Sequence, residues 1–394
     1  YRSAMVDGKA VEWEDFDKKL KAALESNTGE IVIVTPSNFS PSEQSVLSQF
    51  SKKYSSTHVA FDAVSASAAR SANEITNNSF VDSEYDFEKA NIVVSLEGDF
   101  LGTLGNTVAN TKQYTRRRSA KHSDGMNRHI QVEATMSLTG SNADFRYTRS
   151  LADQRDIALG ILGSVSEFAH TVKAGNKDIV SQIAKELKVN KGKSLVISGQ
   201  NDINLQVIIN KINSALGNFN NTVFVTKRSN VVLANDAEFE KLVRRMQSGS
   251  VGTIMFIGTN PVYNYYNSDK FSKALAKVKN VVSFAMSADE TSAKSNYVAP
   301  RNHGFESWSD TLVSSKELSL TQPVIQPLFG SRMWTETLMS LAGISGSFYD
   351  IIKTTWSGKF DWNKALHDGV TIVNANPSLN GFNNTNIDKL SLIH

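Results

Sequence analysis

The sequence predicts an α/β fold in which mostly parallel sheets carry helices on both faces. Short, almost entirely apolar runs, such as Ile92–Leu96 and Ser194–Ser198, are typical of strands that are buried on both sides. Between them lie longer stretches whose apolar residues recur every three or four positions, as on one side of a helix. This alternation is the pattern of βαβ units, and 394 residues leave room for two or three domains.

The first half of the chain opens with a helix, since Trp13, Phe16 and Leu20 recur at helical spacing before Gly29 interrupts the pattern. An apolar strand at 31–34 follows. The further elements predicted in this half are a helix at 42–54, a strand at 59–61, a helix at 66–74, a strand at 92–96, a polar and basic surface segment at 106–127, and a helix at 157–168.

The second half has a more regular rhythm from residue 177 onwards. Its predicted elements are helices that carry Ile179, Leu205, Phe239 and Phe271, and strands at 194–198, 223–225, 253–257, 281–284 and 297–298. After Pro323 the pattern weakens. Residues 334–341 are predicted as a helix that Gly343 ends, and the Asn-rich tail from Asn374 is predicted to be irregular.

The composition narrows the chemistry. The chain has no cysteine, which excludes disulfides, thiolate nucleophiles, cysteine-bound zinc and conventional iron–sulfur clusters within it. The net charge of +3 is nearly balanced and argues against a nucleic-acid partner. No apolar run approaches the roughly 20 residues that span a bilayer, so we expect no direct membrane span. Because the chain opens at Tyr1 rather than Met, we expect a segment upstream.

The first candidate site is the turn Gly258-Thr259-Asn260-Pro261, directly after the strand at 253–257. Open parallel sheets bind ligands beyond the carboxyl ends of their strands. Glycine lets the backbone turn tightly and approach a ligand, asparagine offers a donor and an acceptor, and proline cannot continue the strand. Two interpretations are open here: a loop that contacts a nucleotide, and an ordinary strand-to-loop turn.

A basic run, Arg116, Arg117 and Arg118 with Lys121 and His122, also admits two interpretations. It is either a site for phosphate or an acidic partner, or a solvated loop. His122 and His129 are too isolated from further ligands to indicate zinc.

Other polar groups indicate structure rather than catalysis. His303, Glu306 and Ser307 are the residue types of a hydrolase, but no nucleophile-elbow pattern surrounds the serine. A second group is predicted to form a structural ion-pair network; it consists of Glu133, Asp144, Arg146 and Arg149.

Five blocks of the second half follow one another in a recognisable order: Gly258-Thr259-Asn260-Pro261, Phe271-Ser272-Lys273-Ala274-Leu275, Val281-Val282-Ser283-Phe284, Asp289-Glu290-Thr291-Ser292-Ala293 and Tyr297-Val298-Ala299-Pro300. Together they resemble the molybdopterin oxidoreductase (dimethyl-sulfoxide-reductase) superfamily. In that family a Gly-x-Asn-Pro loop contacts a pterin guanine dinucleotide, and the later run borders the cofactor cleft. Ser295-Asn296 departs from the Ala-Asp pair that the family has before its last strand.

Further blocks narrow the resemblance: Gly98-Asp99-Phe100-Leu101-Gly102-Thr103, Gly125-Met126-Asn127-Arg128, residues 133–140, Ala143-Asp144-Phe145-Arg146, Glu306-Ser307-Trp308-Ser309-Asp310 and residues 322–328. They are similar to the molybdopterin-like iron–sulfur subunit of alternative complex III. That bacterial membrane-bound assembly oxidises quinol and passes electrons towards a cytochrome acceptor. In this branch the molybdopterin-like domain is understood to be vestigial and to carry no metal.

The resemblance also implies a location and partners. The chain would be an internal piece of an exported protein on the periplasmic side of a bacterial inner membrane, with an export signal upstream and a cysteine-rich iron–sulfur domain downstream. Its partners would include cytochrome c and quinol-oxidising membrane subunits. Ser65 and Ser67 lie near the position of a serine metal ligand in part of the superfamily, or are simply helix-surface serines.

By the same resemblance, the fold should consist of two interleaved Rossmann-like lobes. We expect residues 1–58 and 171–345 to form lobe A, 59–170 to form an inserted lobe B, and 346–394 to form an irregular C-terminal extension. A vestigial pterin-nucleotide cleft would be lined by Gly258, Thr259, Asn260, Pro261, Glu97, Gly98 and Asp99.

The sequence leaves three functions open. The first prediction is a non-catalytic scaffold of a respiratory electron-transfer complex, with no cofactor in this segment. The second is an active molybdopterin- or tungstopterin-dependent oxidoreductase, which would bind molybdopterin guanine dinucleotide through the loops just named. The third is a module that binds a nucleotide or an anion in the same cleft.

Overall fold

A computed structural model of the protein describes residues 1–122, 125–225 and 231–373. In chain order, the strands are β1 Ala4–Val6, β2 Lys9–Val11, β3 Glu30–Thr35, β4 Thr57–Ala60, β5 Ser83–Tyr85, β6 Ile92–Leu96, β7 Arg128–Glu133, β8 Phe145–Thr148, β9 Ser194–Ser198, β10 Val223–Val225, β11 Val251–Ile257, β12 Asn280–Phe284, β13 Tyr297–Val298, β14 Ser309–Leu312, β15 Glu317–Thr321 and β16 Val370–Ile372. The helices are α1 Trp13–Glu25, α2 Pro41–Tyr54, α3 Ser67–Asn77, α4 Thr107–Arg117, α5 Leu138–Ser141, α6 Leu151–Val165, α7 Lys177–Val189, α8 Ile203–Ala215, α9 Asp236–Gln247, α10 Pro261–Asn264, α11 Ser268–Leu275, α12 Trp334–Ala342, α13 Phe348–Thr355 and α14 Trp362–Asp368. The tail from Asn374, which the sequence predicts to be irregular, lies outside the described residues.

The described chain divides into two compact units. Unit 1 consists of residues 1–65 and the described part of 228–376, and unit 2 consists of the described part of 66–227. Unit 1 contains a sheet in the order β2-β1-β13-β12-β11-β3-β4, in which β1 is antiparallel to both neighbours and the strands from β13 to β4 are parallel. It also contains the antiparallel sheet β14-β15-β16.

Both faces of the main sheet in unit 1 are covered by helices. Ile33 and Met255 lie in one core with apolar residues of α1, α2, α12 and α13. Val32 and Ile254, one residue earlier on the same strands, lie in another core with α9 and α11. Successive side chains of a strand point to opposite faces, so all-apolar strands require two covered faces.

Unit 2 contains the parallel sheet β8-β7-β6-β9 and the antiparallel pair β5-β10. On one face Val94 and Val196 pack with apolar residues of α6, α7 and α8. On the other face Val93 and Leu195 pack with Phe100 and the buried Tyr114 of α4. The two units therefore confirm the predicted α/β class with mostly parallel sheets.

Strand β9 lies in unit 2, whereas the resemblance implies that residues 171–345 belong to lobe A. All five residues of β9 pair in parallel with β6, from Ile92 opposite Ser194 to Leu96 opposite Ser198. An all-apolar strand shows that both of its faces are buried, but it does not show which neighbour it joins. The inserted unit is therefore longer than the boundary at 170 implies.

Two segments expected to be irregular are helical. Asn106 caps α4 by accepting a hydrogen bond from the Ala109 N–H at 3.1 Å, within the segment predicted as surface chain. Ser347 and Asp350 form a capping box at the start of α13, within the extension predicted to be irregular from residue 346. Burial of one side of each helix stabilises it in spite of a polar composition. The predicted helix that ends at Gly343 is confirmed, with that glycine at φ +72°.

Across the described ranges, every helix is too short or too polar to meet the requirement for crossing a bilayer.

Candidate functional site

In unit 1 the carboxyl ends of β3 and β11 frame a crevice. The chain continues from β3 to β4 on one side of this pair and from β11 to β12 on the other, so the pair is the point where the strand order reverses. Open α/β sheets bind ligands at such points. A cavity of about 310 Å³ lies here, lined by residues 35–40, Glu43, Gly258, Arg301 and Trp334 among others.

Gly258 shapes the floor of this cavity. Its φ of +66° lies in the left-handed region, which glycine adopts without steric cost. A Cβ atom at this position would lie 3.7 Å from Cζ and Nη2 of Arg301, so the guanidinium lies directly over the turn. The next side chain, Thr259, buries its hydroxyl oxygen without a hydrogen-bond partner among the described residues.

Asn260, the most polar residue of the predicted turn, is engaged inside unit 1. Its Nδ2 donates to Oε2 of Glu290 at 2.7 Å. Its Oδ1 accepts from the Thr291 N–H at 3.2 Å and from the Thr291 hydroxyl at 2.7 Å. The hydrogen bond from Asn260 lowers the pKa of Glu290. Both ends of the amide are therefore used to hold the turn against residues 289–291, and Pro261 starts α10 immediately afterwards.

Two charged residues that the sequence analysis did not select face the cavity: Glu43 and Arg301. Ser40 and Glu43 have the spacing of a capping box, which would turn Glu43 back towards the helix start. Instead, the Ser40 N–H donates to Asn38 Oδ1 at 2.7 Å, and Glu43 points to the cavity. The capping-box spacing gives no sign that Glu43 faces a cavity, and Arg301 belongs to no local sequence motif.

Burial raises the pKa of Glu43 to about 8, and the nearby charge of Asp310 adds to this effect. Arg301 and Asn38 oppose it more weakly. The Asp310 carboxylate is itself buried and accepts hydrogen bonds from the hydroxyls of Ser40 and Ser42 and from the Trp356 indole. Glu43 therefore keeps its proton to a higher pH than an exposed glutamate, beside the Asp310 carboxylate.

In unit 2 the loops that follow β6 and β9 approach each other closely. The strand order β8-β7-β6-β9 reverses between β6 and β9, so the loops that follow these strands meet there. A Cβ atom on Gly199 would lie 2.3 Å from the carbonyl oxygen of Glu97, which only glycine permits. The Glu97 backbone is itself in the left-handed region, with φ +57°.

The polar side chains of the loop Glu97-Gly98-Asp99 are also satisfied within unit 2. Glu97 Oε2 accepts from the Ala134 N–H at 2.9 Å and from Gln154 Nε2 at 2.6 Å. Asp99 Oδ1 accepts from the N–H of Thr139 at 3.0 Å and from its hydroxyl at 2.7 Å. These bonds tie the loop to the chain that follows β7. The Gly98 carbonyl accepts from Ser95.

The basic run is partly helical and partly buried, because Arg116 and Arg117 form the last turn of α4, while Arg116 and Lys121 remain exposed. Arg118 makes two hydrogen bonds of 2.8 Å with the Asp144 carboxylate, and Arg116 lies 3.6 Å from Glu88. Arg117 is fully buried and donates to Asn91 Oδ1 at 2.7 Å. A neighbouring stretch of this segment, 123–124, lies outside the described residues.

Alternate residues of β7 form a buried polar chain instead of a zinc site. His129 Nδ1 lies 3.0 Å from the Tyr114 hydroxyl, and its Nε2 lies 3.3 Å from Gln131 Oε1. Gln131 donates to Glu133 at 3.0 Å, and Arg146 donates to the same carboxylate. The predicted ion-pair network is therefore split. Glu133 pairs with Arg146 and Asp144 with Arg118, while Arg149 donates to Asn176 and to backbone carbonyls.

The group His303, Glu306 and Ser307 is a structural turn. The Glu306 carboxylate accepts from the His303 N–H at 2.8 Å and from the Leu328 N–H at 2.9 Å. The Ser307 hydroxyl donates to the His303 carbonyl at 2.9 Å, so it is not aligned with a base as a nucleophile.

Several polar side chains that the family resemblance assigns to cofactor contact are bonded within their own units. The side chains of Asn260, Glu97 and Asp99 all make hydrogen bonds inside the unit that carries them. The Ser65 hydroxyl donates to Asp236, and Ser67 is buried at the start of α3. No group of three or more metal-ligating side chains occurs in the described ranges.

Comparison with known proteins agrees with the fold. The family described as "Molybdopterin oxidoreductase" matches residues 7–343. Among solved structures, acetylene hydratase from Pelobacter acetylenicus superimposes with a TM-score of 0.70 at 12% identity, over 93% of this chain and 64% of that chain. A chain of the formyltransferase/hydrolase complex from Methylorubrum extorquens, in complex with methylofuran, superimposes with a TM-score of 0.55 at 10% identity, over 90% of this chain and 100% of that chain.

The chain thus spans about two thirds of the length of acetylene hydratase. No curated protein matches it in sequence. Identities this low show a shared fold and no more. The family match, by contrast, covers most of the sequence, including the turn at Gly258 and the segment that latches it. The chain belongs to the molybdopterin oxidoreductase family.

Proposed function

We propose that this chain is a cofactor-free scaffold domain of the molybdopterin oxidoreductase family, built into a respiratory complex that oxidises quinol. The observation that supports it best is the internal use of Asn260. A residue kept to bind a dinucleotide would offer its amide to the ligand, whereas this amide closes a latch to Glu290 and Thr291.

The same pattern in unit 2 supports the proposal. Asp99 and Glu97 hold their loop to the chain after β7, and Gly199 brings the β9 loop against the Glu97 carbonyl. A scaffold domain requires loops that hold their shape, and here the polar side chains of the loop stabilise the fold instead of facing a ligand. The sequence blocks that resemble the alternative complex III subunit support the further proposal of a periplasmic location, with cytochrome c and quinol-oxidising membrane subunits as partners and iron–sulfur clusters outside this chain.

The experiment is metal and pterin analysis of the complex purified with the full-length protein. We expect iron without stoichiometric molybdenum or tungsten, and no pterin fluorescence after acid extraction and oxidation. A known molybdopterin enzyme carried through the same extraction controls for losses. One molybdenum or tungsten per chain together with pterin would refute the proposal and favour the active oxidoreductase.

A further inference from the structure

The cavity of unit 1 contains a cation without a counter-ion in contact. Within the described part of the chain, the Arg301 guanidinium makes no hydrogen bond, and its Nε is buried without a partner. An arginine is charged at every physiological pH, and burying an unsatisfied charged donor is costly. By comparison, Arg332 in the same unit has the two oxygens of Asp17 as acceptors. The guanidinium of Arg301, which lines the cavity, therefore has hydrogen-bond donors available for a ligand.

The surroundings of Arg301 favour an anion. Glu43, the acidic group that opposes it, keeps its proton to a higher pH than an exposed glutamate, because burial and the charge of Asp310 raise its pKa to about 8. A protonated carboxyl is a donor as well as an acceptor. Asp310 has its own donors in Ser40, Ser42 and Trp356, so it does not need the guanidinium. The 14-residue helix α2 also begins at this edge, with its positive dipole end at the cavity.

The size of the cavity limits the ligand. About 310 Å³ is at the lower end of the range of roughly 300–1,000 Å³ that small-molecule sites occupy. A planar guanidinium fork matches the two oxygens of a carboxylate, phosphate or sulfate group. A small oxyanion can accept hydrogen bonds from the guanidinium and from the Glu43 carboxyl, whereas a cation would be repelled by the Arg301 charge.

We propose that the cavity at the carboxyl ends of β3 and β11 is a binding site for a small oxyanion, held by the Arg301 guanidinium and by the Glu43 carboxyl. The site does not depend on the scaffold role, since a scaffold and an enzyme alike can carry it. Because Glu43 has to keep its proton, the site binds at neutral and mildly acidic pH and loses affinity in alkali.

The test uses the purified full-length protein and measures thermal shift and calorimetric Kd with sulfate and with succinate, against chloride at equal ionic strength. Sulfate does not titrate between pH 6 and 9, so any pH dependence belongs to the protein. We expect both oxyanions to raise Tm at pH 6 to 7 and sulfate to lose its effect by pH 9. No oxyanion effect beyond that of chloride overturns the proposal. A guanine mononucleotide that binds far more tightly than sulfate also overturns it, since the site would then be a nucleotide site.

Three variants assign the effect to its residues. R301M should weaken sulfate binding roughly ten- to hundredfold, the loss expected when hydrogen bonds to a charged group are removed. R2M removes an exposed positive charge from the same unit and should change nothing. E43Q should keep its affinity from pH 7 to pH 9, because its amide cannot ionise.

A second readout protects against misfolding of R301M. If that variant does not fold, R301K retains the charge without the fork and should bind more weakly than wild type. The ¹⁵N resonance of Arg301 Nε should also move on addition of sulfate. Unchanged sulfate affinity in a folded R301M or R301K variant, or an Nε resonance that does not respond, contradicts the proposal.

Discussion

The Oδ1 atom of Asn260 accepts two hydrogen bonds from one residue, Thr291, through its N–H at 3.2 Å and its hydroxyl at 2.7 Å. Thr291 is completely buried, and its hydroxyl oxygen also accepts from the Val262 N–H at 3.2 Å. The side chain of Asn260 thus holds the turn at Gly258 to the segment that contains Glu290 and Thr291.

If the chain has the proposed scaffold role, replacing Asn260 by alanine should destabilise unit 1 without affecting electron transfer. Losing the acceptor leaves the buried Thr291 donors unsatisfied, which costs about 1–3 kcal/mol. Urea unfolding measures the loss, and quinol oxidation by the assembled complex should remain near wild type. Asn264→Ala, at an exposed position four residues further on, is the matched control and should change stability by less than about 0.5 kcal/mol. A large loss of turnover in a fully assembled N260A complex would instead assign this residue a role in chemistry.

Asp99 should matter through its oxygen rather than its charge. Oδ1 accepts from the N–H and the hydroxyl of Thr139, so Asp99→Ala should lower the free energy of unfolding of unit 2 by about 1–3 kcal/mol. Asp99→Asn keeps an acceptor oxygen and should lose less. Chemical denaturation measures the free energy of unfolding of both variants. Equal losses in Asp99→Ala and Asp99→Asn would show that the negative charge, rather than the acceptor oxygen, stabilises the loop.

Glu43 should make unit 1 less stable as the pH rises. Because burial raises the pKa of this carboxyl from 4.5 to about 8, the folded chain retains a proton that the unfolded chain has lost between these values. Stability contributed by the proton therefore falls as the pH rises through this window. Denaturation at pH 5, 6, 7 and 8 should give a shallower decline for Glu43→Gln than for wild type. The exposed Glu14→Gln serves as control, and parallel slopes for wild type and E43Q would contradict the prediction.

His129 should make unit 2 sensitive to acid. Burial lowers the pKa of this imidazole from 6.5 to about 4, so below pH 6.5 the unfolded state binds a proton that the folded state does not. The free energy of unfolding should fall as the pH drops from about 6.5 to about 4. The His129→Gln variant should be less stable at pH 7, and its free energy of unfolding should fall less steeply as the pH drops from about 6.5 to about 4. His367→Gln, at a side chain that is 88% exposed, should leave the limb as it is in wild type. A steep acid limb in H129Q would assign the sensitivity to other groups.

Local chemistry in the sequence was enough for the fold class and for buried strands such as β3, β6, β9, β11 and β12, but not for β7, β8 or the helices α4 and α13. The runs at β6, β9 and β11 are apolar on both sides, and only a sheet covered by helices on both faces buries both sides of a strand. Gly343 ends α12 because glycine reaches the left-handed conformation without strain. The turn at Gly258 likewise follows from its residues, since proline and glycine restrict the backbone locally.

The tertiary structure alone decided which sheet each strand joined and which side chains met. Pairing of β9 with β6 depends on contacts between residues about 100 positions apart, which no local pattern encodes. The same holds for the cavity, where Glu43, Gly258 and Arg301 come from three distant segments. Burial and the charge of Asp310, which is distant in sequence, raise the pKa of Glu43, and among the described residues Arg301 meets no acceptor. Both effects depend on distance in space and not on separation along the chain.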